Sequence, residues 1–184
     1  MKQVKKIWSM GTAGLGVGNA SPVAEFNVYA DAPAYRRLLD AGLPITIVGL
    51  DVCGGNAQWS PEDENRLNES GNIGRFITAS FTKLRGLYAM NGSERYMNCD
   101  GLTMMCVVNP DFVKGTHSCH GYCETADVVG YAQVIFFREG FIYDATNNDF
   151  NYNVTLVSEV DSDEFFNLYL DMVTRDQDAA APAA

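Results

Sequence analysis

Pro44-Ile45-Thr46-Ile47-Val48-Gly49-Leu50 is the stretch whose reading decides the fold. It is continuous enough in apolar residues to be a strand covered on both faces, which is the pattern of a parallel sheet rather than of a half-exposed one. Upstream, residues 4–10 read as a second short buried strand running into a glycine-rich turn that holds Gly11, Gly14, Gly16 and Gly18. Ser21-Pro22 supplies an N-cap and a proline at the first helical position, which predicts a helix over 22–29. A second helix over 33–41 carries Tyr35, Leu38 and Leu39 on one face and stops at Gly42.

Downstream, Ser60-Pro61-Glu62-Asp63 is another cap-and-proline start. Helical periodicity then runs over 72–90 through Ile73, Phe76, Ile77, Phe81, Leu84 and Leu87, and a short apolar helix over 101–108 is entered through Asp100. Residues 114–160 read as β-rich, with the clearest strand over 131–137, and Asp161-Ser162-Asp163-Glu164 opens a final amphipathic helix ending near Arg175. This alternation predicts an α/β fold with a mainly parallel sheet flanked by helices and an antiparallel β-rich extension. One domain is expected over residues 1–175, with the Ala/Pro/acidic stretch 176–184 as a disordered tail.

The 184 residues suit one ordinary globular domain, and 47% hydrophobic content is too high for a disordered chain. Thirteen basic against 23 acidic residues leave a formal charge of −10. Such a chain repels phosphate backbones and anionic lipid, so neither a nucleic acid nor a membrane is expected as a partner. No apolar run approaches the roughly 20 residues of a membrane span. The basic start (Lys2, Lys5, Lys6) is followed by too short an apolar stretch for a signal peptide. A soluble cytoplasmic protein is therefore expected. The five cysteines are an odd count and read as reduced thiols, and the Asn-x-Ser/Thr triplets at Asn19, Asn68, Asn91 and Asn153 then carry no meaning.

Gly14-x-Gly16-x-Gly18 lacks the G-x-G-x-x-G spacing, and no Gly-Lys-Ser/Thr follows, so a tight turn explains these glycines better than a nucleotide loop. Next comes Gly18-Asn19-Ala20-Ser21-Pro22-Val23-Ala24-Glu25-Phe26-Asn27. Glu25 near a helix start is what the helix dipole favours, and on that reading it is a capping or solvated acid. On the other, Asn19, Glu25 and Asn27 converge at the carboxyl edge of a parallel sheet, where α/β proteins bind ligands. Two amides and a carboxylate suit a polyhydroxylated ligand, because each sugar hydroxyl both donates and accepts.

Asp100, in Met97-Asn98-Cys99-Asp100-Gly101-Leu102, is either an N-cap or one oxygen donor toward a hard cation such as Ca²⁺, which takes six to eight oxygens from several segments. Asp51 ends the decisive strand and is either a turn-former bonding nearby amides or a further site acid. His117-Ser118-Cys119-His120-Gly121-Tyr122-Cys123 holds both histidines. On a strand His117, Cys119 and Cys123 share a face and His120 points away, which leaves three convergent donors where a structural zinc needs four.

With these residues in view, the chain resembles the inosine–uridine-preferring nucleoside hydrolases. Ile7-Trp8-Ser9-Met10-Gly11 is similar to the family's strand-Met-Gly-Gly, with Thr12 where a second glycine is usual. Gly18-Asn19 through Glu25-Phe26-Asn27 resembles G-N-x-x-x-x-A-E-F-N, and the likeness continues through Ala32-Pro33, Gly42-Leu43-Pro44, Leu50-Asp51-Val52 and Ser60-Pro61-Glu62-Asp63. It returns at Asp100-Gly101-Leu102, similar to H-D-P-x-A-V, and at Val160-Asp161. The resemblance implies a parallel α/β core and hydrolysis of the N-glycosidic bond of nucleosides to ribose and free base. It also implies a bound Ca²⁺ that holds the ribose hydroxyls and the attacking water, with an aspartate as base. Carried over, Asn19, Glu25 and Asn27 would grip ribose hydroxyls, Met10 would pack near the sugar or base, and Asp100 would ligate Ca²⁺.

The departures define the expectation further. The family's opening D-x-D-x-x-x-D-D is absent, so the resemblance covers only the family's later portion, without most Ca²⁺ ligands or the catalytic base. Cys99 sits at the usual histidine position, and Gly101 replaces the usual proline. The expectation is a truncated or split nucleoside hydrolase-like protein that needs an N-terminal partner for activity. The alternative is a non-catalytic ribose- or nucleoside-binding or protein-interaction homologue. Half a parallel sheet leaves apolar edges open, so self-association or a complementing chain is expected with either.

Overall fold

A computed structural model describes residues 4–55, 57–90, 92–126, 128–141 and 150–175. The expected tail at 176–184 and part of the β-rich stretch, 142–149, lie outside the described residues. The chain divides into two compact units, one from residues 1–52 and 113–160, the other from 53–112 and 161–184.

The first unit is built on a five-stranded sheet. Strands β1 (Ile7–Met10), β2 (Ile45–Val48), β3 (Val113–Cys123), β4 (Val134–Arg138) and β5 (Val154–Val160) lie in the order β1-β2-β5-β3-β4. β2 pairs in parallel with β1 on one side and with β5 on the other, and all four of its residues are buried. Complete burial of Ile45, Ile47 and Val48 contributes about 1.5–3 kcal/mol for each side chain. The buried Thr46 hydroxyl finds no partner among the described residues, a cost of about 1–3 kcal/mol that the three neighbours exceed. β3 runs antiparallel to both β5 and β4. The β-rich stretch thus divides: β3 and β4 are the antiparallel extension, whereas β5 joins the parallel group.

The first two strands are shorter than expected, 7–10 within 4–10 and 45–48 within 44–50 with Leu50 already helical, and two further boundaries move. Ser21-Pro22 does not start a helix, because the Ser21 hydroxyl accepts from the Val23 and Ala24 amides at 3.4 and 3.1 Å and closes a local turn. The helix α1 (Phe26–Ala30) begins after Glu25, its N-cap. The strand expected over 131–137 becomes β4 three residues later, since Tyr131 and Gln133 bond back to Val128 and Gly130 in turns and Ala132 takes a left-handed φ of 64°. The helix α2 (Ala32–Asp40) is capped by Asp31 and lays Leu39 against β3 at Gly121, where any larger side chain would press on it. Val28, Ala32, Leu39, Ile45, Ile47, Cys119, Val154 and Leu156 share the resulting core. A short helix α3 (Leu50–Gly54) follows β2.

The second unit is helical: α4 (Pro61–Glu69), α5 (Asn72–Ser80), α6 (Thr82–Met90), α7 (Cys99–Val108), a 3-10 turn (Pro110–Phe112) and α8 (Ser162–Thr174). Ser60 and Asp63 form a reciprocal capping box on α4, and Asp161 caps α8. The single helix expected over 72–90 is divided at Phe81. Its ring is drawn inward to Trp59 and Tyr96, at centroid distances of 6.0 and 5.3 Å. Trp59 is the hub of this unit, with Phe165, Phe166 and Tyr169 of α8 also within 4.7–6.0 Å of it.

Burial pushes the thiols of Cys106, Cys119 and Cys123 from 9.0 up to about 11. The folded state therefore favours the neutral thiol over the unfolded chain, a contribution complete below pH ~9 and lost as pH rises toward ~11. Thermal melts across that range should show Tm falling between pH 9 and 11, and Cys119→Ala should flatten part of the decline.

Candidate functional site

The first unit brings four of the expected residues together at the carboxyl ends of β1 and β2. Met10 is the last residue of β1 and is in register with Val48, the last of β2. From there the chain enters the glycine turn, which the structure shows to be a tied loop. The Thr12 carbonyl accepts from the Leu50 amide at 2.9 Å, and its hydroxyl accepts from the Gly14 amide at 3.1 Å. Thr12 is buried with φ 74°, a strained conformation for a β-branched residue, and those two bonds hold it there.

Asp51 takes the turn-forming of its two readings. Its carboxylate accepts from the Leu15 amide at 2.8 Å and from the Val52 amide at 2.9 Å. Gly14, at φ 68°, lies so close to that carboxylate that any side chain would collide with it.

Glu25 is only 3% exposed, and its two carboxylate oxygens accept from the amides of Asn27 and Val28 at 2.9 and 3.3 Å. A carboxylate has about four lone-pair positions, so this capping leaves about two for a ligand. Asn27 donates from Nδ2 to Met10 Sδ at 3.2 Å, and Asn19 Oδ1 accepts from the Phe26 amide at 2.8 Å. Met10, Glu25 and Asn27 are therefore linked directly, and Asn19 is tied to the residue between the last two. Asn19 and Asn27 are exposed, with the amide end of Asn19 and the carbonyl end of Asn27 outside these bonds. A carboxylate flanked by two amides can both accept from and donate to adjacent hydroxyls.

Two supporting residues escape sequence reasoning. Ser9 Oγ and the Tyr35 hydroxyl lie 3.0 Å apart next to Gly11, and burial holds the Tyr35 hydroxyl well above its ordinary pKa. Tyr35 reads from the sequence as part of an apolar helix face, and no local spacing links it to Ser9.

In the second unit, Asp100 is exposed and is the second residue of α7, not its N-cap. Asn98 caps instead, its Oδ1 accepting from the Gly101 amide at 3.2 Å. A proline at 101 would lack that N–H, so the departure at Gly101 and the cap at Asn98 belong together. Cys99 is the first residue of α7 and is in no disulfide.

β3 places Cys119 and Cys123 in the core, and stacks His120 on Phe150 at 5.0 Å with Nδ1 3.2 Å from the Asn151 carbonyl oxygen. Among the described residues no group of three or more His, Cys, Asp or Glu could hold a metal ion. A Ca²⁺ shell of six to eight oxygens does not fit the donors that these residues offer. No helix of the described residues is long and apolar enough to cross a membrane.

The family model for "Inosine-uridine preferring nucleoside hydrolase" matches residues 1–167. The chain belongs to that family. It is 29% identical over 175 residues to the pyrimidine-specific ribonucleoside hydrolase RihA of Klebsiella pneumoniae, covering 90% of this chain and 51% of that protein. Among solved structures, a plant nucleoside hydrolase superposes with a TM-score of 0.83 at 21% identity, over 94% of this chain and 54% of the other. The purine-preferring ribonucleoside hydrolase from Gardnerella vaginalis superposes with a TM-score of 0.79 at 20% identity, over 92% and 52%. These superpositions establish the fold: a mixed α/β sheet flanked by helices, as in other nucleoside hydrolases. The chain spans about half the length of the family members it matches.

Asp51→Ala should release the glycine turn while sparing the sheet. Hydrogen exchange at the Leu15 and Val52 amides should accelerate at least tenfold, with the Ile47 amide unchanged. Two lost charge-assisted bonds should cost about 1–3 kcal/mol in denaturant unfolding.

Proposed function

We propose that this chain carries the ribose-holding portion of a nucleoside N-ribohydrolase site, acting on nucleosides to yield ribose and free base. The observation that supports it is the linked set Met10, Asn27 and Glu25, with Asn19 tied at Phe26, at the carboxyl edge of a parallel sheet in a chain of this family. In this reading Glu25 accepts from ribose hydroxyls through its remaining lone pairs, and Asn19 and Asn27 supply the matching donors and acceptors. Met10 lies against the apolar face of the sugar. The buried carboxylate also favours the positive charge that develops on the sugar as a glycosidic bond breaks.

Asp100 is proposed as one oxygen donor toward a calcium ion whose other donors, like the catalytic base, come from outside these 184 residues, in the same polypeptide or a second one. We read residues 1–175 as one nucleoside hydrolase-like domain of this kind. The parallel edge of β1, which pairs only with β2 among the described residues, is where a further strand would add. Exposed apolar side chains, including Val17, Phe26 and Val129 in the first unit and Phe76, Leu87 and Met90 in the second, favour a partner or self-association. Five cysteines outside any disulfide suit a reducing compartment such as the cytoplasm. A second reading, a ribose- or nucleoside-binding protein without turnover, is favoured by Thr12, Cys99 and Gly101, each of which departs from the family pattern.

The test is ribose binding by calorimetry together with ribose release from inosine and uridine, with Ca²⁺ and with EDTA. The purified chain should bind ribose, Glu25→Gln and Asn27→Ala should weaken binding at least tenfold, and turnover should be absent. Turnover on adding a segment that bears the acidic motif supports the hydrolase; binding with no turnover under any complementation supports the second reading. Calcium-dependent turnover by the chain alone, lost in Asp100→Ala, would overturn the need for outside residues. Absence of ribose binding would overturn the site assignment. Light scattering should show self-association, and a monodisperse, stable monomer would contradict the open-edge argument.

A further inference from the structure

The helical unit contains a polar cleft of about 330 Å³ that shares no residue with the proposed ribose site. Helices α4, α5 and α6 line it with Glu64, Asn65, Asn68, Arg75, Thr78 and Arg85. Glu64 is only 9% exposed and is paired by Arg85 Nη1, so the acid is already neutralised. Arg85 Nη2 donates to Thr82 Oγ1 at 3.2 Å, while its Nε is shielded from solvent with no acceptor among the described residues. Arg75 is exposed and donates from Nη2 to Asn72 Oδ1 at 2.6 Å, which leaves the rest of its guanidinium for another acceptor. The hydroxyl of Thr78 lies 3.1 Å from Asn68 Oδ1 and equally from the Gly74 and Arg75 carbonyl oxygens, and the NH₂ end of Asn68 lies outside these contacts.

The lining therefore offers an excess of N–H donors, with its carboxylate matched and one guanidinium charge over. This occurs in a chain of net charge −10, where a concentration of cationic donors is against the general composition. A ligand that only accepts hydrogen bonds and carries negative charge satisfies Arg75 and the NH₂ of Asn68 together. We propose that this cleft binds a small oxyanion, a carboxylate or a phosphate.

The experiment is thermal unfolding of the whole chain in sodium phosphate, sodium acetate and sodium chloride at matched ionic strength. Phosphate or acetate should raise Tm saturably by about 2–4 °C above chloride, and whichever is more effective identifies the anion. Arg75→Gln alters an exposed side chain and should abolish the rise without lowering Tm in chloride. Asn68→Asp keeps an acceptor for Thr78 but places a second carboxylate in the cleft, and should also abolish it. A rise that is equal in chloride, that persists in both variants, or that neither anion produces overturns the proposal.

Discussion

The burial of one short strand carries the rest of the first unit. β2 has a parallel neighbour on each side and no exposed residue, so its backbone groups can pair in both directions while its side chains leave water on both faces. That arrangement sets where the chain must turn. β1 and β2 end together at Met10 and Val48, and the loops leaving them, Gly11 onward and Leu50 onward, emerge side by side. The Thr12–Leu50 bond and the Asp51 carboxylate then tie one loop to the other. The site edge follows from the sheet.

At Glu25 the observed capping role leaves room for the ligand-binding role proposed for it. Its carboxylate is fixed by the first free amides of α1, the interaction that the helix start favours on its own account. Fixing it there also orients it next to Asn27, and Asn27 next to Met10. A five-residue helix contributes little stability by itself, so its place depends on this cap and on burial of Val28. Removal of the cap would therefore disturb the amides as well as the acid.

The two units differ in how far they explain themselves. The sheet unit is organised around a parallel core whose edge at β1 is open among the described residues, in a chain that spans about half of its relatives' length. The helical unit has its own aromatic hub at Trp59 and its own capped helices, and it carries Asp100 on the first turn of α7, with no other acids gathered into a metal site among the described residues. The calcium chemistry implied by the family resemblance finds no group of three or more His, Cys, Asp or Glu to hold it among the described residues. Gly101, a departure from the family pattern, has a local reason in the Asn98 cap.

The sequence by itself determined a buried strand within 44–50, the capped starts at Ser60 and Asp161, the family, and the identity of the residues at the sheet edge. The strand and the caps rest on spacing within a few residues, where the side-chain period and the capping chemistry are local, whereas the family rests on a resemblance of motifs spread from residue 7 to residue 161. What only the tertiary structure decided were the pairings over long separations. β5 pairs in parallel with β2 as well as antiparallel with β3, Phe81 breaks a continuous helical pattern to reach Trp59, and Tyr35 meets Ser9 across 26 residues. It also settled that the carboxylate of Asp51 ties a turn, and that Asn98, not Asp100, caps α7. A strand's partner, a kink and a buried hydroxyl's acceptor are chosen by which surfaces exclude water together, and periodicity along the chain carries no record of that choice.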